Sequence, residues 1–203
     1  MLKLVTPSTE NGTVPPRRKR NTEVRPREYL TEAEVENLRK AAGDNRQGHR
    51  DATMVLVAFR HGLRATELVR LQWDNVDFEQ GKLHVNRAKN GSPSVHPLAG
   101  VELRALRRLK RESPESPFVF VSERGPPFTT AGFRKMVARL GAAAGFNYAV
   151  HPHMLRHACG YKLANDGVDT RTLQHYLGHK NFSTLCGTRS CRRTNLGASG
   201  RIE

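Results

Sequence analysis

The sequence is poor in the features that would give disulfide bonds or a membrane anchor. It holds only three cysteines, Cys159, Cys186 and Cys191, which form neither a Cys-x-x-Cys pair nor an even framework, so we expect reduced thiols. No apolar run approaches the length that spans a membrane, and the opening Met-Leu-Lys-Leu-Val is too brief for a signal peptide. We therefore expect a cytoplasmic protein with no membrane partner.

Aromatic residues are also scarce, and acidic residues are few relative to basic ones. Aromatics make up 6% of the chain and fall at core spacings, which argues against an RNA-binding protein that stacks single-stranded bases on exposed rings. Lys and Arg outnumber Asp and Glu by 34 to 19, which gives a net charge of +15. A basic surface can serve solubility alone, but an excess of this size favours a polyanion, and double-stranded DNA is the expected partner.

The excess charge divides the chain into three parts. Residues 1–29 hold seven basic and three acidic groups (+4) and residues 183–203 hold four and one (+3), which leaves +8 on the body. Residues 1–28 have few apolar groups and no period, so we predict a disordered basic arm, which either tracks DNA phosphates or is only a solvated tail. Residues 29–182 are predicted to form one folded domain, followed by an atypical tail over residues 183–203.

The body predicts a mainly helical α+β domain with a small hairpin at one edge. Thr31 and Glu34 form a capping box, residues 51–61 look like a buried helix, and Thr129 or Thr130 caps a later helix. An acidic turn is predicted at Trp73–Phe78. Asn90-Gly91 predicts a hairpin between Leu83–Val85 and Val95–Leu98, and Phe118–Val121 predicts a strand.

Residues 151–179 concentrate the groups that could handle a phosphodiester. Pro152 suits the first turn of a helix, which would place His153 and Arg156 on one face as an anion-facing pair. That helix should stop near Gly167, and Asp169 or Thr170 should cap a second one that Gly178 ends, so that His179 emerges beyond it. Tyr161 and Tyr176 are predicted to lie on the core faces of these two helices.

Three patterns leave alternatives open. Arg64 and Glu67 are three residues apart on a short helix, either as a surface ion pair or as a guanidinium held ready for a phosphate. Lys89 at the hairpin tip is by itself usually a solubilising charge. His151, His153 and His157 suggest zinc, but no cysteine or carboxylate stands at ligand spacing and Arg156 would repel a cation, so we expect no metal.

The motifs resemble those of the tyrosine recombinases, the phage integrase family. Gly62-Leu63-Arg64-Ala65-Thr66-Glu67-Leu68 resembles the first arginine box, Gly-Leu-Arg-x-x-Glu-Leu, while His153-x-x-Arg156 and Leu177-Gly178-His179 resemble the second box and the Leu-Gly-His motif downstream of it. Five positions agree in order: Arg64, Lys89, His153, Arg156 and His179. The compact chain is similar to the small recombinases that invert fimbrial promoter segments for phase variation.

The resemblance implies a site-specific recombinase that needs no cofactor and forms a homotetramer on DNA. A tyrosine would attack the phosphate to give a 3′-phosphotyrosyl link. Arg64, supported by Glu67, and Arg156 would clamp that phosphate, because two guanidiniums can stabilise charge on its oxygens without a metal. Lys89 would protonate the leaving oxygen. His153 would assist proton transfer, and His179 would donate to a non-bridging oxygen.

The chain departs from the family pattern at the nucleophile. The tyrosine is expected at position 188, where this chain has Thr188, and a threonine hydroxyl is a poor substitute for a phenol. Synonymous codons can be chosen for Ser183–Glu203 so that another reading frame places a tyrosine at position 188, which suggests a frameshifted tail. As written, the chain is expected to be inactive in cis unless another subunit supplies the tyrosine; the alternative is a non-catalytic DNA-binding regulator on the same fold.

Overall fold

Helices dominate the fold. The structure is a computed structural model, and it describes residues 28–87 and 93–178. In this part of the chain the helices are α1 (Glu32–Gly43), α2 (Gly48–Arg60), α3 (Ala65–Val69), α4 (Gly100–Glu112), α5 (Thr130–Ala143), α6 (Pro152–Asn165) and α7 (Thr170–Leu177), and the strands are β1 (Val76–Asp77), β2 (Lys82–Val85) and β3 (Ser94–Pro97). None of these helices is both long and apolar enough to cross a bilayer. The predicted mainly helical α+β class is confirmed.

The helix boundaries follow from local capping. At α1 the Thr31 hydroxyl accepts from the Glu34 amide at 3.3 Å while the Glu34 carboxylate accepts from the Thr31 amide at 2.8 Å, which confirms the predicted capping box. At α7 the Asp169 carboxylate accepts from the amides of Arg171 and Thr172, both at 3.0 Å. The starts of α1 and α7 are therefore fixed by residues that are adjacent in the sequence.

The strands form one small antiparallel sheet in the order β1-β2-β3. Leu83 pairs with His96 and Val85 with Ser94, so the predicted hairpin is confirmed, although its tip, residues 88–92, lies outside the described residues. The turn predicted over residues 73–78 is only partly right. Val76 is buried and pairs with Leu83, which makes this segment a third, two-residue strand.

The strand predicted at Phe118–Val121 is wrong. Phe118 forms an isolated bridge with Gln72, and Val121 forms another with Pro127. Val119 and Phe120 are nevertheless buried. Because the backbone of this segment bonds to two different neighbours, the apolar run fills the core without joining a continuous ladder.

The core is built around α2, which packs against α1, α4 and α6. Its Met54, Val55 and Val57 are fully buried. This helix ends at the turn that leads into α3, and α3 in turn packs against α5. The start of α3 and the start of α6 are thereby held on the same side of the core, where the predicted site residues lie.

One tyrosine lies where the sequence did not predict it. Tyr161 is 47% exposed and stacks on Tyr29, with ring centroids 4.4 Å apart, so its assignment to the core face of α6 is wrong. The ring partner comes from the segment before α1, which helical periodicity alone cannot reveal. Tyr176 does pack against the core, and its hydroxyl donates to the Arg60 carbonyl at 3.0 Å.

Candidate functional site

Arg64 is held at the start of α3 by Glu67. The Glu67 carboxylate accepts from the Arg64 amide at 2.9 Å and from its Nη1 at 2.7 Å. The side chain of Glu67 is 2% exposed, whereas that of Arg64 is 23% exposed. The predicted pair is therefore formed, with a buried carboxylate fixing a guanidinium that keeps a solvent-facing side.

The same carboxylate faces two further guanidiniums. Its Oε2 lies 3.1 Å from Nη1 of Arg87 and 3.9 Å from Nη1 of Arg156. One negative charge thus stands among three positive ones in a largely buried space. Such an arrangement leaves a local excess of positive charge, which favours an incoming anion.

Arg87 is a member of this cluster that sequence reasoning missed. Its side chain is fully buried, and desolvation lowers its pKa against the opposing effect of Glu67. It follows β2, where Leu83 and Val85 point inward, so the alternating period of a strand was the signal that could have found it. Arg87 also donates to the Tyr176 carbonyl and thereby ties the hairpin to the end of α7.

Arg156 is buried rather than directed at solvent. Its guanidinium donates to the carbonyls of Gly62 and Leu177, and burial lowers its pKa to about 10. It therefore links the turn before α3 to the last residue of α7. Although His153 and Arg156 lie on the same helix as predicted, the His153 ring is exposed while the guanidinium is not, so the two sit in different environments.

A cavity of about 530 Å³ opens beside Arg64. Residues from the start of α3, from α5, from the start of α6 and from the segment before α1 surround it. Its lining comprises Glu28, Leu63, Arg64, Ala65, Thr66, Arg134, His151, Pro152, His153 and His157. Two arginines, Arg64 and Arg134, thus line a space large enough for a phosphate group.

The pKa values of the two exposed histidines of the cavity, His153 and His157, are lowered, which favours their neutral forms. Desolvation by burial, followed by electrostatic interaction with His157, lowers the pKa of His153. Desolvation likewise lowers the pKa of His157, while Glu28 opposes that shift. A neutral imidazole can both donate and accept a hydrogen bond, which suits a role in proton transfer. Among the described residues no group of three histidine, cysteine or acidic side chains could hold a metal ion.

Comparison with known proteins identifies the family. The profile described as "Phage integrase family" matches residues 28–187. The chain belongs to the phage integrase family. It is 39% identical over 161 residues to the type 1 fimbriae regulatory protein FimB of Escherichia coli (strain K12), an alignment that covers 77% of this chain and 80% of that one.

Solved structures share the fold of this phage integrase family chain. The crystal structure of XerA recombinase superposes with a TM-score of 0.68 at 29% identity, covering 75% of this chain. XerH site-specific recombinase bound to its difH substrate gives a TM-score of 0.68 at 20% identity, covering 78% of this chain. The chain spans 56% and 49% of these two proteins respectively, so about half of each has no counterpart in the alignment.

Three predicted residues of this integrase-family chain, Lys89, His179 and Thr188, lie outside the described residues. The two segments that lead to the first two of them are described. Arg87 stands just before the hairpin tip, and Gly178 has φ +65° and would bring a Cβ to 2.7 Å from Cγ of Arg87. Glycine is therefore required at position 178 both by the backbone conformation and by the close approach of Arg87.

A buried polar network joins the end of α2 to β3 and α4 in the integrase-family chain. His61 Nε2 contacts Glu102 Oε1 at 2.8 Å, and His61 Nδ1 lies 3.3 Å from His96 Nδ1. His96 also contacts Ser94 Oγ at 2.8 Å, lies 3.3 Å from Nη2 of Arg87 and stacks on Tyr176. Neither Glu102 nor His96 stands out in the sequence, because their partners come from distant elements.

His96 should make the fold sensitive to acid. Desolvation, followed by electrostatic interactions with His61 and Arg87, lowers its pKa from 6.5 to about 3. Below pH 6.5 the unfolded chain takes up a proton that the folded chain refuses, so stability falls as pH drops toward 3. Between pH 7 and pH 5 this group should remove about 2 kcal/mol from the free energy of unfolding.

Urea unfolding at pH 7 and pH 5 measures this effect. In His96→Gln the difference in unfolding free energy between the two pH values should shrink by about 2 kcal/mol. His84→Gln, an exposed position on β2, should leave that difference unchanged. An equal pH difference in wild type and His96→Gln would show that the imidazole at position 96 is protonated equally in both states.

Proposed function

We propose that this phage integrase family chain binds double-stranded DNA and holds one backbone phosphate in the cavity beside Arg64. The observation that carries this proposal is the guanidinium of Arg64, which Glu67 fixes at the cavity wall next to His153. An arginine fork can bind two phosphate oxygens at once, and a buried carboxylate that fixes it limits the entropy lost on binding. The net charge of +15 adds long-range attraction for DNA.

Except for Arg156, the site residues take the roles that the resemblance implies. Arg64 grips the phosphate, and His153, neutral near pH 7, handles the proton of the attacking hydroxyl. Arg156 is buried and bonded to two carbonyls, so it contributes its charge and holds the turn before α3. Lys89 protonates the leaving oxygen and His179 donates to a non-bridging oxygen. No metal or other cofactor takes part in these steps.

Thr188 stands where a recombinase needs the tyrosine that cleaves the DNA strand. A tyrosine at this position would form the 3′-phosphotyrosyl link, whereas threonine is less acidic and a poorer leaving group. We propose that the chain binds as a recombinase, assembles as a homotetramer on DNA in the cytoplasm, and does not cleave in cis. The presence of Thr188 equally favours a second function, a DNA-binding regulator that uses the recombinase fold.

Two measurements test the proposal. Duplexes recovered by binding selection from a randomised pool should bind more tightly than the same strands single-stranded, and log K should fall steeply with log salt. Equal affinity for single strands would contradict binding to double-stranded DNA.

The second measurement asks whether the chain cleaves. Nicked forms of the selected duplexes, which trap a covalent intermediate, should give no band of protein joined to DNA after denaturation. A covalent band would show that a residue of this chain acts as the nucleophile and would overturn cleavage deficiency in cis. A band only after addition of an active family member would show that the tyrosine is supplied in trans.

A further inference from the structure

The segment before α1 is fixed along α6. The ring of Tyr29 stacks on Tyr161 at 4.4 Å with an interplanar angle of 20°, and Leu30 is 1% exposed. At the start of α1, Glu32 Oε1 accepts from Nζ of Lys162 at 3.0 Å. The stacked rings hold Tyr29 against the C-terminal half of α6, and Leu30 is anchored in the core, whereas the exposed Glu32–Lys162 pair should add little.

These anchors place Glu28 at the cavity. His157 lies one helical turn before Tyr161 on α6, on the same face, and Glu28 lines the cavity together with it. The carboxylate also acts on the imidazole, because it raises the pKa of His157 against the effect of desolvation. Among the lining residues Glu28 is the acidic one, and Arg64 and Arg134 are the basic ones that share the cavity with it.

We infer that Glu28 is an internal counter-anion that sets the charge selectivity of the phosphate cavity. Resting on the proposed function, this inference goes beyond it by naming a residue that weakens anion binding. A carboxylate at the cavity wall repels a doubly charged phosphate more than a singly charged phosphodiester, because the Coulomb energy scales with the charge. Glu28 should therefore reduce the advantage that the two arginines give to a terminal or free phosphate over a phosphate within a DNA strand.

The matched pair Glu28→Gln and Glu32→Gln tests this inference in the full chain. Each substitution removes one negative charge, but Glu32 pairs with Lys162 and does not line the cavity. Both side chains are exposed, so both variants should fold. Glu28→Gln should bind duplex about fivefold more tightly than Glu32→Gln, which corresponds to one unit charge at a few ångströms in a well-solvated site.

Two small anions test the selectivity itself. Inorganic phosphate at pH 7.5 is mostly doubly charged, and dimethyl phosphate is singly charged. The NMR signals of the His153 and His157 rings report the binding of each anion at the cavity. Glu28→Gln should gain more affinity for phosphate than for dimethyl phosphate, whereas Glu32→Gln should change neither. If Glu28→Gln gains equal affinity for both anions, Glu28 does not discriminate between them by charge. If it gains affinity for neither, Glu28 does not act as a counter-anion in the cavity.

A third variant tests how the carboxylate is held. Tyr161→Ala leaves every charge in place but removes the ring on which Tyr29 stacks. It should release Glu28 from the cavity and give part of the gain in duplex affinity seen in Glu28→Gln. If Tyr161→Ala and wild type bind equally while Glu28→Gln binds more tightly, the stacked ring does not position Glu28.

Failure of this inference is distinguishable from failure of the proposed function. If wild type binds duplex and Glu28→Gln matches Glu32→Gln, only the inference is overturned. If wild type shows no preference for duplex, the proposed function is overturned whatever the variants do.

Discussion

Replacing Glu67 with glutamine is expected to destabilise the fold by about 3–5 kcal/mol, the usual result of removing one partner from a buried ion pair. Glu67 is 2% exposed at its side chain and faces Arg64, Arg87 and Arg156. Glutamine has nearly the same volume, so the loss reports charge rather than packing. Without the carboxylate three guanidiniums repel one another in a space that water cannot fully screen.

Equilibrium unfolding in urea gives the result directly. Glu36→Gln is the matched control, because Glu36 pairs with Arg39 at 2.6 Å on the surface of α1, with 44% of the glutamate side chain exposed. That exposed pair should contribute less than about 1 kcal/mol. A loss of similar size in both variants would mean that the buried carboxylate does not hold the three arginines together.

Raising the anion concentration should partly rescue Glu67→Gln. Phosphate or sulfate can enter the neighbouring cavity and supply the missing negative charge, whereas chloride at equal ionic strength only screens. The variant should therefore gain more stability from phosphate than wild type does. This differential gain would link the stability of the arginine cluster to its capacity for binding a phosphate.

The sequence predicted the parts of the site whose geometry is local. Arg64 and Glu67 are one helical turn apart, so their pairing follows from helix geometry once Gly62 is recognised as a turn. The caps at Thr31 and Asp169 and the end of α7 at Gly178 depend likewise on adjacent residues. Each of these features needs only the backbone within a few positions.

The missed parts depend on contacts between distant segments. Arg87 reaches Glu67 across 20 residues, and Glu102 on α4 reaches His61 at the end of α2. The period of a helix predicts that Arg134 lies on the outer side of α5, but it does not tell which neighbour that side faces. Glu28 falls within the predicted basic arm. Its place in the cavity was not predicted, because the sequence around a single acidic residue among arginines does not show which side chains it will contact.

Replacing Arg64 should reduce duplex affinity more than replacing an exposed arginine that does not line the cavity. A charged hydrogen bond to phosphate contributes about 1.5–3 kcal/mol, so Arg64→Ala should bind selected duplex about ten- to a hundredfold more weakly. Arg64→Lys keeps the charge but cannot make the two parallel bonds of a guanidinium, so it should recover only part of the loss. The fold should persist, because Arg87 and Arg156 still face Glu67.

The slope of log K against log salt separates a phosphate contact from a general loss of charge. Arg64→Ala should lower the slope by about one unit, as expected for one lost phosphate contact. Arg46→Ala removes the same charge from a side chain that is 83% exposed and does not line the cavity, so its affinity should change little. If both variants lose affinity equally, attraction by the whole protein surface would account for duplex binding, and the Arg64–Glu67 pair would be a structural feature rather than the phosphate grip.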